Sequence, residues 1–208
     1  MIDWDSCVLW LDSKYFSESY WWVRSRYRNN GVVYGAKWKN NGLFFQNGGY
    51  VRIPDHPVLR YTDNYTIEVW AMSPDWDSVP EWTNIIGKRV GGISGGWDLK
   101  YGSGGNYIGL HSCYININEF VDGEVAHIVG TKDSNGNVKM YLNGVLKNSC
   151  SDRTSTPNNY DVLIGKARDA PYYEYFYGYI YVIRKFNKVL NANEVKILYN
   201  LDYIQSGV

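Results

Sequence analysis

Three carboxylates crowd one short stretch of the chain: Glu119, Asp122 and Glu124. A pair of carboxylates can cleave a glycosidic bond, one protonating the leaving oxygen while the other attacks or activates water. On a strand the pair must occupy alternate positions, because successive side chains point to opposite faces. The spacing here is E-x-x-D-x-E, which does not bring all three to one face, and it falls in a turn before an apolar run. The cluster therefore reads as a solvated charged turn. A glycan hydrolase or lyase built on it is the weakest of three functional expectations.

The histidines are His56, His111 and His127, and none has a metal-type partner at short spacing. Zinc is not indicated. His127 alternates with Val125 and Val129, so it is expected inside the core. Calcium needs only oxygen ligands on loops. Asp75 and Asp77, beside Pro74, are the candidate calcium ligands. Asp63-Asn64 and the Asp133, Asn135, Asn137 set are further clusters, the last explained more simply as a hairpin turn. Gly91 to Gly96 and Gly102 to Gly105 have no Lys-Ser/Thr after them, so they are not phosphate loops.

Loop aromatics carry the best functional signal. Sugar rings stack their C–H faces on Tyr and Trp, while Asp, Asn and Arg bond the hydroxyls. Two segments qualify as ligand sites. One holds Trp76 and Trp82 with Asp75 and Asp77; the other holds Arg168, Asp169, Tyr172, Tyr173 and Tyr175 around Glu174. Subunit contact and packing over a rim are the alternatives for the tyrosine loop.

The elements that must carry these loops are mostly strands. Cys7 to Leu11, Leu43 to Phe45, Tyr50 to Ile53, Tyr65 to Met72, Asn84 to Gly87, Trp97 to Tyr101 and Tyr107 to Ser112 are short runs between turn residues. In Tyr65–Met72, Ile67 and Val69 face one way and Thr66, Glu68 and Trp70 the other. Val125 to Thr131 and Val138 to Leu142 bracket an Asn135-Gly136 turn, and Asn143-Gly144 offers a second turn. Val162 to Ile164 and Tyr179 to Phe186 complete the strands. One helix is predicted late: Asn191 is an N-cap, Glu194 completes a capping box, and Val195, Leu198 and Tyr199 form an apolar stripe.

The 208 residues suit one all-β domain spanning 1–208, and 45% hydrophobic residues suffice for a core. With 21 basic and 21 acidic residues there is no basic excess for nucleic acid. No apolar run is long enough to span a membrane. Three cysteines, Cys7, Cys113 and Cys150, are not a disulfide framework and read as buried thiols, with a Cys113–Cys150 bridge as the alternative. Met1 to Asp5 is acidic and lacks a leader pattern, so the chain is not exported by that route or its leader is missing.

Several segments resemble laminin-G-like, concanavalin A-like domains. Tyr65 to Ala71 (YTIEVWA) is similar to their FTISAWV strand, and Ile85 to Lys88 to IISK. Asp122 to Thr131 is similar to DGxWHHVAGT, and Met140 to Leu146 to LYVDGVLV. Asn29 to Ala36, Ile164-Gly165, Phe176 to Asn187 and Glu194 to Asn200 follow in family order. The resemblance implies a jelly-roll sandwich of two antiparallel sheets with one short C-terminal helix. It also implies a glycan-binding or adhesion module, extracellular or on a virion surface, with a glycan or glycoprotein as partner. A virion or surface-layer assembly subunit, and hence a homo-oligomer, is the alternative. Laminarinase-type enzymes of this fold carry E-x-D-x-E, or a bulged E-x-D-x-x-E, on one strand face, and neither occurs here, so no catalytic residue is assigned. Where the family has IDEV this chain has Ile180 to Ile183, which removes the acids that help relatives hold calcium.

Overall fold

The computed structural model describes residues 1–89, 95–152, 156–167 and 174–206. The first strands are β1 (Cys7–Phe16), β2 (Tyr20–Val23), β3 (Gly31–Tyr34), β4 (Lys37–Lys39), β5 (Gly42–Phe45) and β6 (Tyr50–Ile53). Next come β7 (Tyr65–Met72), β8 (Asn84–Gly87), β9 (Asp98–Tyr101), β10 (Tyr107–Leu110) and β11 (Cys113–Asn116). The last are β12 (Ala126–Lys132), β13 (Asn137–Leu142), β14 (Val145–Ser151), β15 (Val162–Ile164) and β16 (Gly178–Phe186), followed by helix α1 (Ala192–Ser206).

All-β architecture with one late helix matches expectation; the division into two sheets does not. Hydrogen bonding runs through one ladder in the order β11-β10-β9-β8-β15-β6-β3-β2-β1-β16-β7-β12-β13-β14. β2 and β3 link β1 to β6 in that ladder, and β1 slips register against β2 between Leu11↔Val23 and Phe16↔Trp21. The two ends of the ladder then meet. Asn148 Nδ2 on β14 donates to the Tyr114 carbonyl on β11 at 2.8 Å. Cys113 and Cys150 form a disulfide across the same seam, which corrects the reading of three thiols; Cys7 alone is free, and buried.

The turns follow their residue types. Asn143 and Gly144 take φ of +52° and +75°, as a two-residue hairpin requires. Asp133 Oδ1 accepts from the Asn135 and Asn137 amides at 2.9 and 2.8 Å, so this acid serves the β12–β13 turn. At α1 the capping box is reciprocal: Asn191 Oδ1 accepts from the Glu194 amide at 3.0 Å, and Glu194 Oε2 from the Asn191 amide at 2.9 Å.

The main core lies inside the curled sheet, with Leu9, Trp21, Phe45, Val69, Trp97, Leu110 and Ile128 fully buried. A second cluster lies outside it, where Ile2, Cys7, Val129, Tyr141, Phe186, Leu190, Val195 and Leu198 pack beneath α1. Consequently β7 is covered on both faces over Tyr65–Ala71. Glu68, on the face away from Ile67 and Val69, is therefore buried rather than solvated.

Candidate functional site

One edge of β16 changes partner partway along. From Phe186 to Val182 it pairs with β1, and from Ile180 to Gly178 it pairs with β5. Its other edge pairs with β7, where register shifts between Ile180↔Ala71 and Val182↔Trp70. Tyr181 is thus the extra residue of a bulge, sitting at the fork where β1 leaves and β5 begins. Bulges re-aim a side chain and are common beside functional sites.

The fork opens a groove of about 710 Å³. Tyr181 and Val182 of β16, Trp70 of β7, and Val125 just before β12 line it. β1 adds Asp12, Ser13, Lys14 and Phe16, and the β4–β5 hairpin adds Trp38, Lys39, Asn40, Asn41 and Gly42. Asn40 and Asn41 have φ of +50° and +59°, the two left-handed positions of a tight hairpin turn. Gly42 has no room for a side chain, since a Cβ there would come within 2.7 Å of the Tyr181 ring. Glycine lets that ring lie against the hairpin.

Aromatic faces dominate the opening. Phe16, 48% exposed, stacks on Trp38 with centroids 4.0 Å apart. Trp38 is fixed from behind by an edge contact with Trp21 and by its Nε1 donating to the Ser17 carbonyl at 3.0 Å. Tyr181 stacks on Tyr179 at 6.1 Å, and burial raises its phenol pKa. Asn40 Nδ2 donates to the Tyr179 hydroxyl at 3.3 Å.

The buried carboxylate of the lining is Asp12. Its Oδ1 accepts from the Lys14 amide at 3.0 Å and its Oδ2 from Arg24 Nη1 at 3.5 Å. Arg24 in turn lies over Trp10 at 4.2 Å and Tyr15 at 4.7 Å. Beneath the neighbouring surface, Glu68 binds Arg184 Nη1 through both oxygens at 2.9 and 3.0 Å, and His127 Nε2 lies 3.1 Å from Oε1. Burial alone would raise the Glu68 pKa, but Arg184 and His127 hold it at about 2. His127 is fully buried, as expected, but on the outer face of the sheet with Val129, against Trp70 and Tyr199, and not in the main core.

The residues expected to bind ligand are dispersed. Trp76 is 1% exposed, packed against Phe120 and Phe176, with its Nε1 donating to the Val121 carbonyl at 3.2 Å. It offers no face to a ligand, because its apolar area is spent on the core. Trp82 is exposed, at φ +65°, with Lys100 Nζ 5.4 Å from its ring. Tyr175 lies against Gly48 and under Lys166 Nζ at 5.4 Å, away from the groove. Arg168, Asp169, Tyr172 and Tyr173 lie outside the described residues. Asp75 Oδ1 accepts from the Ser78 amide at 3.1 Å, and Asp77 is exposed. Among the described residues no three His, Cys, Asp or Glu side chains gather as a metal site.

The three crowded carboxylates go to separate tasks. Glu119 pairs with Lys147 at 2.6 Å, Asp122 Oδ1 accepts from the Trp76 amide at 2.8 Å, and Glu124 is exposed. Sequence reasoning missed the groove. Its local signals were the Asn40-Asn41-Gly42 turn after Trp38 and the alternation of Asp12, Lys14 and Phe16, but nothing in them announces that these segments meet.

A family model described as the concanavalin A-like lectin/glucanases superfamily matches residues 45–196. No curated protein matches the chain. Among solved structures, the binding domain of botulinum neurotoxin DC in complex with rat synaptotagmin II is similar at TM-score 0.72 and 16% identity, over 95% of this chain and 52% of that one. A botulinum neurotoxin type C structure, whose cell entry depends on two ganglioside molecules, is similar at 0.71 and 17%, with the same coverage. A Trypanosoma rangeli sialidase with 2,3-difluorosialic acid is similar at 0.72 and 17%, over 93% of this chain and 32% of that one. The chain spans about half the length of the botulinum chains and about a third of the sialidase, and these likenesses establish the fold.

Proposed function

The chain belongs to the concanavalin A-like lectin/glucanases superfamily, and on that footing we propose that it is a carbohydrate-binding module that works without catalysis. The observation that carries the reading is the groove at the β16 fork. Phe16 offers a half-exposed ring face backed by Trp38, Tyr181 lines the groove with them, and the exposed Asn40 and Asn41 offer polar groups. A saccharide needs this pairing of flat apolar faces with fixed hydrogen-bonding groups. The whole of 1–208 acts as one unit in this reading, on a cell or virion surface, where the disulfide would persist. The likeness to ganglioside-dependent and sialic-acid-bound proteins agrees with a glycan partner.

A glycan array of the wild type against Phe16→Ala and Trp82→Ala tests the site. Binding lost in Phe16→Ala supports the groove. Binding lost only in Trp82→Ala moves the site to the surface beside Lys100. An array without binders removes the reading.

A catalytic reading draws on the likeness to a sialidase over 93% of this chain. Glu174 is the candidate acid, its pKa raised by burial and by the nearby Glu81. Polysaccharide digestion that Glu174→Gln abolishes would establish it.

A further inference from the structure

The groove lining carries an excess of positive charge. Lys14 on β1 and Lys39 on β4 both line it; both are exposed, neither has an ion pair among the described residues, and Lys39 Nζ lies 5.8 Å from the Phe44 ring centre. The acid that lines the groove, Asp12, is already neutralised by Arg24, and both its oxygens accept hydrogen bonds from the protein. The lining with Arg24 therefore carries three cations against one anion. This excess is local, since the full chain balances 21 basic against 21 acidic residues. A lysine ammonium donates three hydrogen bonds and accepts none. A neutral sugar finds acceptors in the Asn40 and Asn41 amides but leaves both ammonium charges without a counter-ion. A ligand that brings a carboxylate or sulfate is matched in both charge and hydrogen bonding.

We infer that the groove lined by Lys14 and Lys39 selects acidic saccharides, whose sugar ring rests on the exposed face of Phe16 while its anionic group meets the two ammonium groups. This rests on the carbohydrate-binding reading above and narrows it to a ligand class. The apolar side chains of Trp70, Val125 and Val182 in the lining lower the local dielectric, which strengthens the attraction relative to open water.

The test is calorimetric titration of the wild type, Phe16→Ala and the double variant Lys14→Gln/Lys39→Gln with lactose, sialylated lactose and sulfated lactose, at low and high salt. Thermal melts establish that each variant is folded. The expected result is at least about a tenfold preference for an acidic form, shrinking as salt screens the charges. In the double variant the acidic-to-neutral ratio falls toward one. Which acidic form binds tighter separates a carboxylate from a sulfate ligand. Equal affinity for lactose and both acidic forms overturns the inference and leaves the carbohydrate reading standing. A preference that survives in the double variant also overturns it. Absence of binding to all three sugars overturns both.

Discussion

Cys113 on β11 is bonded to Cys150 on β14, so the disulfide joins the two strands that end the hydrogen-bonded ladder. An edge strand exposes unpaired backbone groups and invites association with other chains. Here the two edges lie against each other, joined by the disulfide and the Asn148–Tyr114 hydrogen bond, and the disulfide closes a separation of 37 residues.

Replacing both cysteines by serine should lower stability by about 2–4 kcal/mol, the usual effect of opening a loop of this size. Chemical unfolding of the double variant against the oxidised wild type measures it. An unchanged midpoint would mean that the β11–β14 contacts hold the seam by themselves.

Phe16 projects its ring into the groove and is nearly half exposed, so its loss should cost binding and little stability. Phe16→Ala is expected to weaken glycan affinity roughly tenfold, an aromatic contact of about 1.4 kcal/mol. The melting temperature should move by no more than about 2 °C. A large drop in melting temperature would show instead that Phe16 anchors Trp38 as part of the fold.

Glu68 is held at about 2 against an ordinary value of 4.5. A carboxylate with a depressed folded-state pKa contributes stability that is complete above about 4.5 and is lost as pH falls toward 2. That contribution is on the order of 3 kcal/mol at neutral pH. Glu68→Gln should destabilise by about 3–5 kcal/mol at pH 7, because it leaves the Arg184 charge buried without its carboxylate. The deficit should shrink in melts taken at progressively lower pH. A pH-independent deficit would mean that packing, rather than ionisation, is the larger part.

Lys185 is fully buried, and burial, helped by Lys88, lowers its pKa from 10.5 to about 7. Its Nζ donates to Asn187 Oδ1 at 2.8 Å and to the Tyr61 carbonyl at 3.3 Å. For a base with a depressed folded-state pKa, the unfolded chain holds the extra proton between the two values, so stability rises with pH across that window. Between pH 7 and pH 10.5 the wild type should therefore gain on Lys185→Met by a few kcal/mol. Unfolding curves at pH 7 and pH 10 compare the two proteins. Parallel curves would contradict the shift.

Much of the fold was legible in the sequence because its signals are local. Alternating runs, the Asn-Gly turns at Gly136 and Gly144, and the Asn191–Glu194 capping box each depend on neighbours a few residues apart, and each appears where the residues place it. The order of motifs also carried the superfamily, which the family model matches over 45–196. Burial of Glu68 and Trp76 was not legible. A strand's alternation says which residues share a face, but it cannot say what covers that face. Glu68 lies on the face that α1 and the N-terminal segment cover, and Trp76 is closed in by Phe120 and Phe176. The groove lay furthest from view. It exists because β16 exchanges β1 for β5 at the Tyr181 bulge, which brings Asp12, Trp38 and Tyr181 together from three distant segments. Sequence by itself determined the family, the turns and most of the strands, but not β2, β4, β11 or the second half of β1, whose residues become strands only through their partners. Only the tertiary structure decided the single, nearly closed ladder and the site, because register and partner exchange are properties of strand pairing and not of any one strand.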